Sequence, residues 1–454
     1  MKKSLYLIVL IISCFSCTNE SKNNTVILKG TYANYEQDTL YMKNITSENM
    51  IYKEEVHNIA LNKDTNFYYK FELEKPAYFQ IGRTFLFLSP GDSLVATLDG
   101  ETRRTATYSG TGSEANNYLT QVTYPKAGSY WPLQEEVSKI KDYKEAPEVF
   151  KNLTDKKITA LEQLKNVSEE FKRLEKARIK FDYVNSLLKI QYLFYAQARE
   201  GLIERKDIKS LVEEAKDYYI PFVDDYLKDI DDTSYLQLEV FQTLLYEIRK
   251  EEFKAKHNLA EFGPEFQEYI LTGNLINGFK NEGYTSTFIK KLNTELKNIK
   301  NPDYKAAILE EQKQYESISA GQPATDLTFT KLDGSTVKLS DFKGKVIVID
   351  LWATWCGPCM RLKPSFEALE KKYESNDQIE FISLSLDTEK KWLNYFESHE
   401  PKGNQFHIFR NELANYKVSG IPRFFVIDKD FNIVDVFAPA PLNGELENLI
   451  KKHI

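Results

Sequence analysis

The strongest constraint on the fold of this chain is an apolar run that is followed closely by a pair of cysteines. The run extends from Val346 to Leu351 and is interrupted only by Asp350. An almost unbroken apolar run of this length predicts a central strand that is buried on both faces, as in an α/β sheet. The cysteines follow in the segment Trp355-Cys356-Gly357-Pro358-Cys359. Because proline fits the first turn of a helix, the sequence predicts a strand, a short loop and a helix that begins at the cysteines.

A Cys-x-x-Cys pair has two sensible uses, which are metal binding and redox chemistry. A zinc site would need two further ligands. The only other cysteines, Cys14 and Cys17, lie in the N-terminal leader, and the five histidines are scattered along the chain. The sequence therefore disfavours a metal site and favours a redox dithiol. It contains no pattern that indicates a bound cofactor.

A redox dithiol requires one cysteine that is reactive as a thiolate. Cys356 is predicted to lie at a helix N-terminus, where unsatisfied N–H groups and the helix dipole favour the thiolate. Such a thiolate can attack a substrate disulfide, and a cysteine one turn later can resolve the mixed disulfide. We therefore expect Cys356 to be the nucleophile and Cys359 to be the resolving cysteine.

The segment from Val348 to Cys359 closely resembles the active-site segment of thioredoxins. More specifically, it is similar to that of the TlpA/ResA group of exported, membrane-tethered thiol–disulfide oxidoreductases. The resemblance covers about residues 322–454, which is under a third of the chain. It implies a thioredoxin-like α/β domain that acts on disulfide-bearing proteins.

Three further positions agree with this family. Pro364 matches the proline that kinks the active-site helix, and Asp350 matches the buried acid that assists proton transfer from the second cysteine. Pro422 matches a cis-proline that faces the disulfide, so the resemblance implies that Ile421 and Pro422 hold the substrate backbone. The alternatives are a structural strand-end acid at Asp350 and a trans turn proline at Pro422.

Trp355 and Leu362 lie on either side of the cysteine pair in the sequence. Trp355 is expected at the edge of the substrate-binding site, as a shield over the thiols. Leu362 stands three residues after Cys359, where TlpA/ResA-like proteins often carry a glutamate. This departure leaves Asp350 as the only acid of the predicted site, and it argues against a transfer of cytochrome-maturation specificity.

The N-terminus has the pattern of an export signal. Two lysines precede an uncharged apolar run, Ser4 to Ile12, which is too short to span a membrane. The residues that follow resemble a bacterial lipobox, in which Cys14 would be lipid-modified, with Cys17 as the alternative. An ordinary cleaved signal is the other interpretation. We predict a signal peptide with a lipobox over residues 1–17 and a polar tether over residues 18–24.

The remaining chain divides by pattern into three domains. Short aromatic and β-branched segments between turn residues predict an antiparallel β domain over residues 25–113, similar to the β domain of Bacteroidetes-type lipoproteins. Apolar residues at spacings of three and four from Ile158 to Leu188 predict one long amphipathic helix, and similar patterns predict an all-α domain over residues 114–319. The thioredoxin-like α/β domain follows over residues 320–454.

Together these patterns predict a lipid-anchored, periplasm-facing protein of the cell envelope that reduces or exchanges protein disulfides, with exposure at the outer membrane or the cell surface as the alternative location. It would need a membrane-linked thiol electron donor, because no nicotinamide or flavin site is indicated. The alternatives are a thiol peroxidase, for which the arrangement around a peroxidatic cysteine is missing, and a binding or scaffold lipoprotein that carries the module as a passenger. With 60 basic and 67 acidic residues, the chain shows no electrostatic footprint for nucleic acid.

Overall fold

The computed structural model describes residues 23–35, 37–122, 130–131, 135–228 and 230–454. The predicted signal peptide, with Cys14 and Cys17, lies outside these residues. None of the helices in the described part of the chain is both long enough and apolar enough to cross a membrane.

The chain forms two compact units. One contains the residues up to 50 together with 54–260, and the other contains 51–53 together with 261–454. This division differs from the predicted border at 319/320, because the helices between 261 and 319 share a unit with the C-terminal sheet. Apolar periodicity shows that a segment is helical, but it does not show which neighbour buries the apolar stripe.

The first unit begins with two four-stranded sheets, with strand orders β4-β1-β7-β8 and β3-β2-β5-β6. Their strands are β1 Thr25–Ala33, β2 Thr39–Asn44, β3 Val56–Ala60, β4 Asn66–Glu72, β5 Ala77–Ile81, β6 Thr84–Leu88, β7 Ser93–Asp99 and β8 Thr107–Thr111. Leu28 from one sheet and Met42 from the other belong to the same buried core, as in a sandwich. The pairing is antiparallel as predicted, except that β1 and β7 run parallel. These two strands are far apart in sequence, so no hairpin sets their direction.

The rest of the first unit is helical. Its helices are α1 Ile45–Asn49, α2 Ser113–Gln121, α3 Glu135–Ser138, α4 Ala146–Glu162, α5 Glu169–Leu188, α6 Gln191–Arg199, α7 Ile208–Asp224, α8 Glu239–Ile248 and α9 Glu251–Lys256. The prediction of one continuous helix from Ile158 to Leu188 is wrong, since α4 and α5 are separate. The hydroxyl of Ser168 accepts a hydrogen bond from the backbone N–H of Phe171 at 3.1 Å. It therefore caps a new helix at this point.

The second unit contains three helices followed by an α/β region. Its elements are α10 Pro264–Glu282, α11 Ser286–Glu295, α12 Pro302–Glu316, β9 Thr328–Thr330, β10 Thr336–Lys338, β11 Val346–Trp352, α13 Gly357–Lys372, β12 Ile379–Ser385, α14 Glu389–Phe396, β13 Asn404–His407, β14 Arg423–Ile427, β15 Ile433–Ala438 and α15 Glu445–Lys451. The strands form one sheet in the order β10-β9-β13-β12-β11-β14-β15. Every residue of β11 is buried, which confirms the predicted central strand. This strand leads directly to the cysteine pair.

Candidate active site

The two cysteines of the motif lie at the start of α13 and form a disulfide with an S–S distance of 1.97 Å. Cys356 caps the helix, because its sulfur accepts a hydrogen bond from the backbone N–H of Cys359 at 3.2 Å. Gly357 and Pro358 are the first two residues of the helix. Both cysteines are buried in this oxidised state, with 4% and 2% of their surface exposed. The helix N-terminus is a position that stabilises a thiolate.

The loop between β11 and α13 is fixed by the neighbouring strand. The carboxylate of Asp387 accepts hydrogen bonds from the backbone N–H of Thr354 at 2.7 Å and from its hydroxyl at 2.8 Å. Ser385 donates a further hydrogen bond to this carboxylate at 3.1 Å. Sequence reasoning did not identify Asp387, because its partner lies 33 residues away in the chain. The network holds the loop that presents the cysteines.

The predicted substrate-binding loop lies beside the disulfide. The Ile421–Pro422 peptide bond is cis, which confirms the configuration expected from the family resemblance. The carbonyl oxygen of Ile421 lies 3.8 Å from the sulfur of Cys356. Both loop residues are only partly buried. The structure therefore brings the loop and the cysteine pair together at an accessible edge of the domain.

The cis-proline loop is held from both sides. Arg410 donates a hydrogen bond to the carbonyl oxygen of Ser419 at 2.6 Å, and the hydroxyl of Ser419 donates one to the carbonyl oxygen of Lys280 at 3.3 Å. The guanidinium of Arg423 lies 3.7 Å from the centre of the Phe437 ring. Lys280 belongs to α10, so a helix that precedes the sheet in the chain contributes to this loop. Local sequence patterns carry no signal for that contact.

Two buried tryptophans enclose the disulfide. Trp352 and Trp392 have no exposed surface and belong to one apolar cluster with both cysteines. Trp355, by contrast, is 59% exposed. The disulfide thus packs with Trp352 and Trp392, and the shielding role of Trp355 stays a prediction. The difference in exposure is positional, because Trp352 ends a buried strand, whereas Trp355 lies in the loop and presents its ring to solvent.

Asp350 points toward the active-site helix. Side chains alternate along a strand, so Asp350 faces the same side of β11 as Val348 and Trp352. Val348 shares a buried cluster with Phe366 of α13, and Trp352 shares one with Cys359. With 2% of its surface exposed, Asp350 therefore lies between these two clusters, on the face of the sheet that α13 covers.

The surroundings of Asp350 raise the pKa of its carboxyl. Burial raises the pKa of this carboxyl to about 7, with the charge of Lys363 opposing the rise and that of Glu367 adding to it. A carboxyl that titrates near neutral pH can exchange protons under the conditions in which thiols react. Leu362 packs into the apolar cluster under α13, and Pro364 lies exposed within the helix. Sequence reasoning missed Lys363, although it follows Cys359 by one helical turn.

Comparisons with known proteins identify the C-terminal part of the chain. The Redoxin family profile matches residues 319–450. The thiol-disulfide oxidoreductase ResA of Bacillus cereus is 30% identical over 142 residues, which cover 30% of this chain and 80% of that protein. The thioredoxin-like protein YneN of Bacillus subtilis is 28% identical over 137 residues, which cover 30% of this chain and 81% of that one.

Solved structures include a similar protein from Bacteroides vulgatus, described as a candidate thiol-disulfide oxidoreductase. The two chains are 45% identical, and their match covers 30% of this chain and 99% of that one with a TM-score of 0.29. The residues that the Redoxin profile matches hold the disulfide, the cis-proline loop and Asp350. The chain therefore belongs, through its C-terminal domain, to the TlpA/ResA-like thiol–disulfide oxidoreductases of thioredoxin fold.

Proposed function

We propose that this protein is an exported, lipid-anchored oxidoreductase that reduces or exchanges disulfide bonds in other proteins through Cys356 and Cys359. The observation that carries the proposal is the juxtaposition of the cysteine pair and the cis-proline loop. The carbonyl oxygen of Ile421 lies 3.8 Å from the sulfur of Cys356. An extended substrate segment that pairs with this loop would place its own sulfur next to Cys356.

The proposed reaction begins with the reduced dithiol. The thiolate of Cys356 attacks one sulfur of the substrate disulfide, a mixed disulfide forms, and the other substrate sulfur leaves as a thiolate. Cys359 then loses its proton to the carboxylate of Asp350 and attacks the sulfur of Cys356. The intramolecular disulfide forms, and the second substrate thiolate leaves. Two electrons have passed from the dithiol to the substrate.

The direction of electron flow is proposed from the residues between the cysteines. Gly357 and Pro358 are also the residues between the cysteines of thioredoxin. The reduction potential of thioredoxin is about −270 mV, whereas that of a strong disulfide oxidant is about −120 mV. This pair favours a reductase. Each cycle then needs a dithiol donor that returns two electrons, and we propose a membrane-linked thiol protein for this role. Trp355, Ile421 and Pro422 are proposed to contact the substrate.

The location is proposed from the leader. A lipid on Cys14, or on Cys17 in the alternative, would hold the mature chain at a membrane of the cell envelope, facing the periplasm. Mass spectrometry of the N-terminal peptide from the native host tests this step. We expect a diacylglyceryl modification that disappears in Cys14→Ala and persists in Cys17→Ala. The reverse pattern would move the anchor to Cys17, and an unmodified N-terminus in both variants would refute lipid anchoring.

Insulin reduction with the full mature chain tests the activity. We expect turnover with dithiothreitol as the electron source and none from Cys356→Ser. Cys359→Ser should accumulate mixed disulfides with substrates in the native host, whereas Cys356→Ser should not. If the intact dithiol reduces no protein disulfide, the binding or scaffold interpretation is favoured, and selective turnover of hydroperoxides would favour a peroxidase. Equal trapping by both serine variants would contradict the assigned roles of the two cysteines.

A further inference from the structure

Two arginines near the disulfide have exposed side chains that the proposed reaction does not use. Arg361 lies on α13, two residues after Cys359, and Arg410 lies three residues after the end of β13. Within the described part of the chain, neither guanidinium forms an ion pair with a carboxylate. Exposed arginines are common on protein surfaces, so the position of each guanidinium decides whether it bears on the substrate.

The guanidinium of Arg361 lies over the first turn of α13. A Cβ built at Gly357 would lie 3.7 Å from Nη1 of Arg361. This position follows from helix geometry, because residues four apart share one face of a helix and their side chains lean toward its N-terminus. Gly357 directly follows Cys356 in the chain. The positive charge of Arg361 therefore lies beside the residue that is proposed to attack the substrate.

The guanidinium of Arg410 is held at the cis-proline loop. It donates a hydrogen bond to the carbonyl oxygen of Ser419 at 2.6 Å, and Ser419 precedes Ile421 by two residues. On its other side, the hydroxyl of Ser419 donates to the carbonyl oxygen of Lys280 at 3.3 Å, so the point to which Arg410 is attached is itself fixed. A guanidinium has five N–H donors, so this bond leaves donors for a carboxylate.

The position of Arg410 relates it to one part of a bound substrate. The carbonyl oxygen of Ile421 lies 3.8 Å from the sulfur of Cys356, so an extended segment that pairs with Ile421 brings its cysteine to this point. Two residues of extended chain span about 7 Å, which is also the separation of Ile421 and Ser419 along the loop. A substrate side chain about two residues from the reacting cysteine therefore comes alongside Arg410.

The carboxylates of the neighbouring loops are engaged within the protein. The carboxylate of Asp387 accepts a hydrogen bond from the backbone N–H of Thr354 at 2.7 Å, and that of Glu412 accepts one from the backbone N–H of Phe409 at 3.3 Å. Asp387 is also buried, with 4% of its surface exposed. The edge around the disulfide thus presents two exposed guanidinium groups that form no ion pair with the described residues.

We propose that Arg361 and Arg410 form a charge-selective subsite, which favours disulfide-bearing protein segments with acidic side chains close to the reacting cysteine. A guanidinium stays charged at physiological pH and can bind a carboxylate through two parallel hydrogen bonds. The inference rests on the proposed function, because it names the class of substrate for the same site.

The preference is local to this edge of the domain. The whole chain carries a formal net charge of -7, so its overall field does not attract acidic segments. Removal of one positive charge elsewhere changes the net charge by the same amount as removal of Arg361 or Arg410. Only the two arginines should therefore change the preference between acidic and basic substrates.

The test is the rate at which two peptide disulfides oxidise the pre-reduced, full mature chain. The peptides differ only in carrying glutamate or lysine beside the cysteine. We expect the acidic peptide to react about ten-fold faster at low ionic strength, and the ratio to shrink as salt is added. Because weaker support of the loop slows both peptides alike, their ratio isolates the effect of charge.

The variants locate the charge that causes the preference. Arg361→Met and Arg410→Met should each reduce the ratio to about three-fold, and the double variant should bring it close to one. Lys343→Met is the matched control, because this exposed lysine precedes β11 at the end opposite the cysteine pair, and it should leave the ratio unchanged. Equal rates for the two peptides in the wild type, or an unchanged ratio in the double variant, would overturn the inference.

A second measurement separates this inference from the proposed function. In the Cys359→Ser chain, anionic iodoacetate and neutral iodoacetamide alkylate the same thiolate of Cys356, so the ratio of their rates reports the local charge without any disulfide substrate. This ratio should fall about three-fold when both arginines are replaced by methionine, and it should not change in Lys343→Met. If neither peptide oxidises the reduced chain, the proposed function fails, and the alkylation ratio decides the inference. A fall then supports the inference, and an unchanged ratio overturns it.

Discussion

The guanidinium of Arg423 donates a hydrogen bond to the carbonyl oxygen of Lys280 at 3.2 Å. This contact joins the C-terminal end of α10 to the strand that begins next to the cis-proline. Gly283 ends α10 with a positive φ of 68°, and a Cβ at that position would lie 2.3 Å from the Phe437 ring. The chain thus passes closely enough to the sheet to bring Lys280 to the loop. A helix before the family domain therefore supports its cis-proline loop.

Replacement of Arg423 by methionine should weaken this support. Arg423 is 9% exposed, and its loss removes its hydrogen bonds to the carbonyl oxygen of Lys280, which keeps Ser419 as a donor, and to the buried carbonyl oxygen of Val436 at 3.4 Å. A hydrogen bond from a charged group contributes about 1.5 to 3 kcal/mol, so we expect the second unit to lose stability by about that amount. Because the cis-proline loop would be less well positioned, KM for insulin should rise more than kcat falls.

Denaturant unfolding and steady-state kinetics measure these two effects. Arg205→Met, at an exposed site of the first unit, is the control and should change neither. An Arg423→Met chain with wild-type stability and wild-type KM would show that the contact does not support the loop.

Asp350 should make the second unit less stable as the pH rises. Its pKa is about 7 in the folded chain, against 3.8 for an aspartate that is fully exposed to water, so the folded state binds the extra proton between these values. The unfolding free energy therefore falls as pH rises through this window, by about 4 kcal/mol in total. Asp350→Asn removes the buried charge, and it should stabilise the oxidised chain at pH 8 while changing little at pH 4.

Hydrogen exchange of the β11 amides reports this local stability without requiring two-state unfolding of both units. The same variant should resolve the mixed disulfide more slowly, since it has lost the proton acceptor. Equal exchange rates for the two chains at pH 8 would mean that Asp350 is not held as a buried acid.

Local patterns predicted those parts of the fold that depend on local physics. The apolar run of β11 and the helix that begins at the cysteine pair each follow from a few neighbouring residues. The break before α5 also has a local signal, because Ser168 is followed by acidic residues that suit a first turn. The prediction missed this break because the apolar spacing continues across it.

The parts that were missed depend on contacts between distant segments. Asp387 holds Thr354, Arg423 reaches Lys280, and Lys363 completes the surroundings of Asp350 only after β11 and α13 have packed together. The unit to which α10 to α12 belong could likewise not be predicted, because the apolar stripes of the helical segments are similar in character. Such pairings follow from the tertiary fold, so no window of sequence contains them.

The two tryptophans of the active-site segment should respond differently to truncation. Trp352 has no exposed surface, and its replacement by alanine should cost about 3 to 5 kcal/mol. Trp355 is 59% exposed, so Trp355→Ala should change stability by less than about 0.5 kcal/mol. If Trp355 contacts substrate, its loss should lower kcat/KM for insulin, while reduction of a small disulfide is largely retained. Thermal unfolding and the two activity assays check this pair, and an unchanged kcat/KM would remove Trp355 from the substrate site.

A buried ion pair in the first unit allows stability to be changed away from the disulfide. Arg178 and Glu175 are 2.7 Å apart with side chains that are almost fully buried, and the hydroxyl of Tyr78 on β5 donates to the same glutamate at 3.0 Å. Glu175→Gln leaves a buried guanidinium without its counterion and should destabilise this unit by about 3 to 5 kcal/mol. Adding Arg178→Met should recover most of that loss, because the unpaired charge is then removed.

Denaturant unfolding of the single and double variants measures the recovery. Insulin reduction, assayed where both chains remain folded, should stay at the wild-type level, because the disulfide and its supporting residues belong to the other unit. A double variant that is less stable than Glu175→Gln alone would contradict the expected recovery, because Arg178 would then stabilise the unit even without Glu175. A loss of insulin reduction in the folded double variant would instead show that the first unit contributes directly to the reaction.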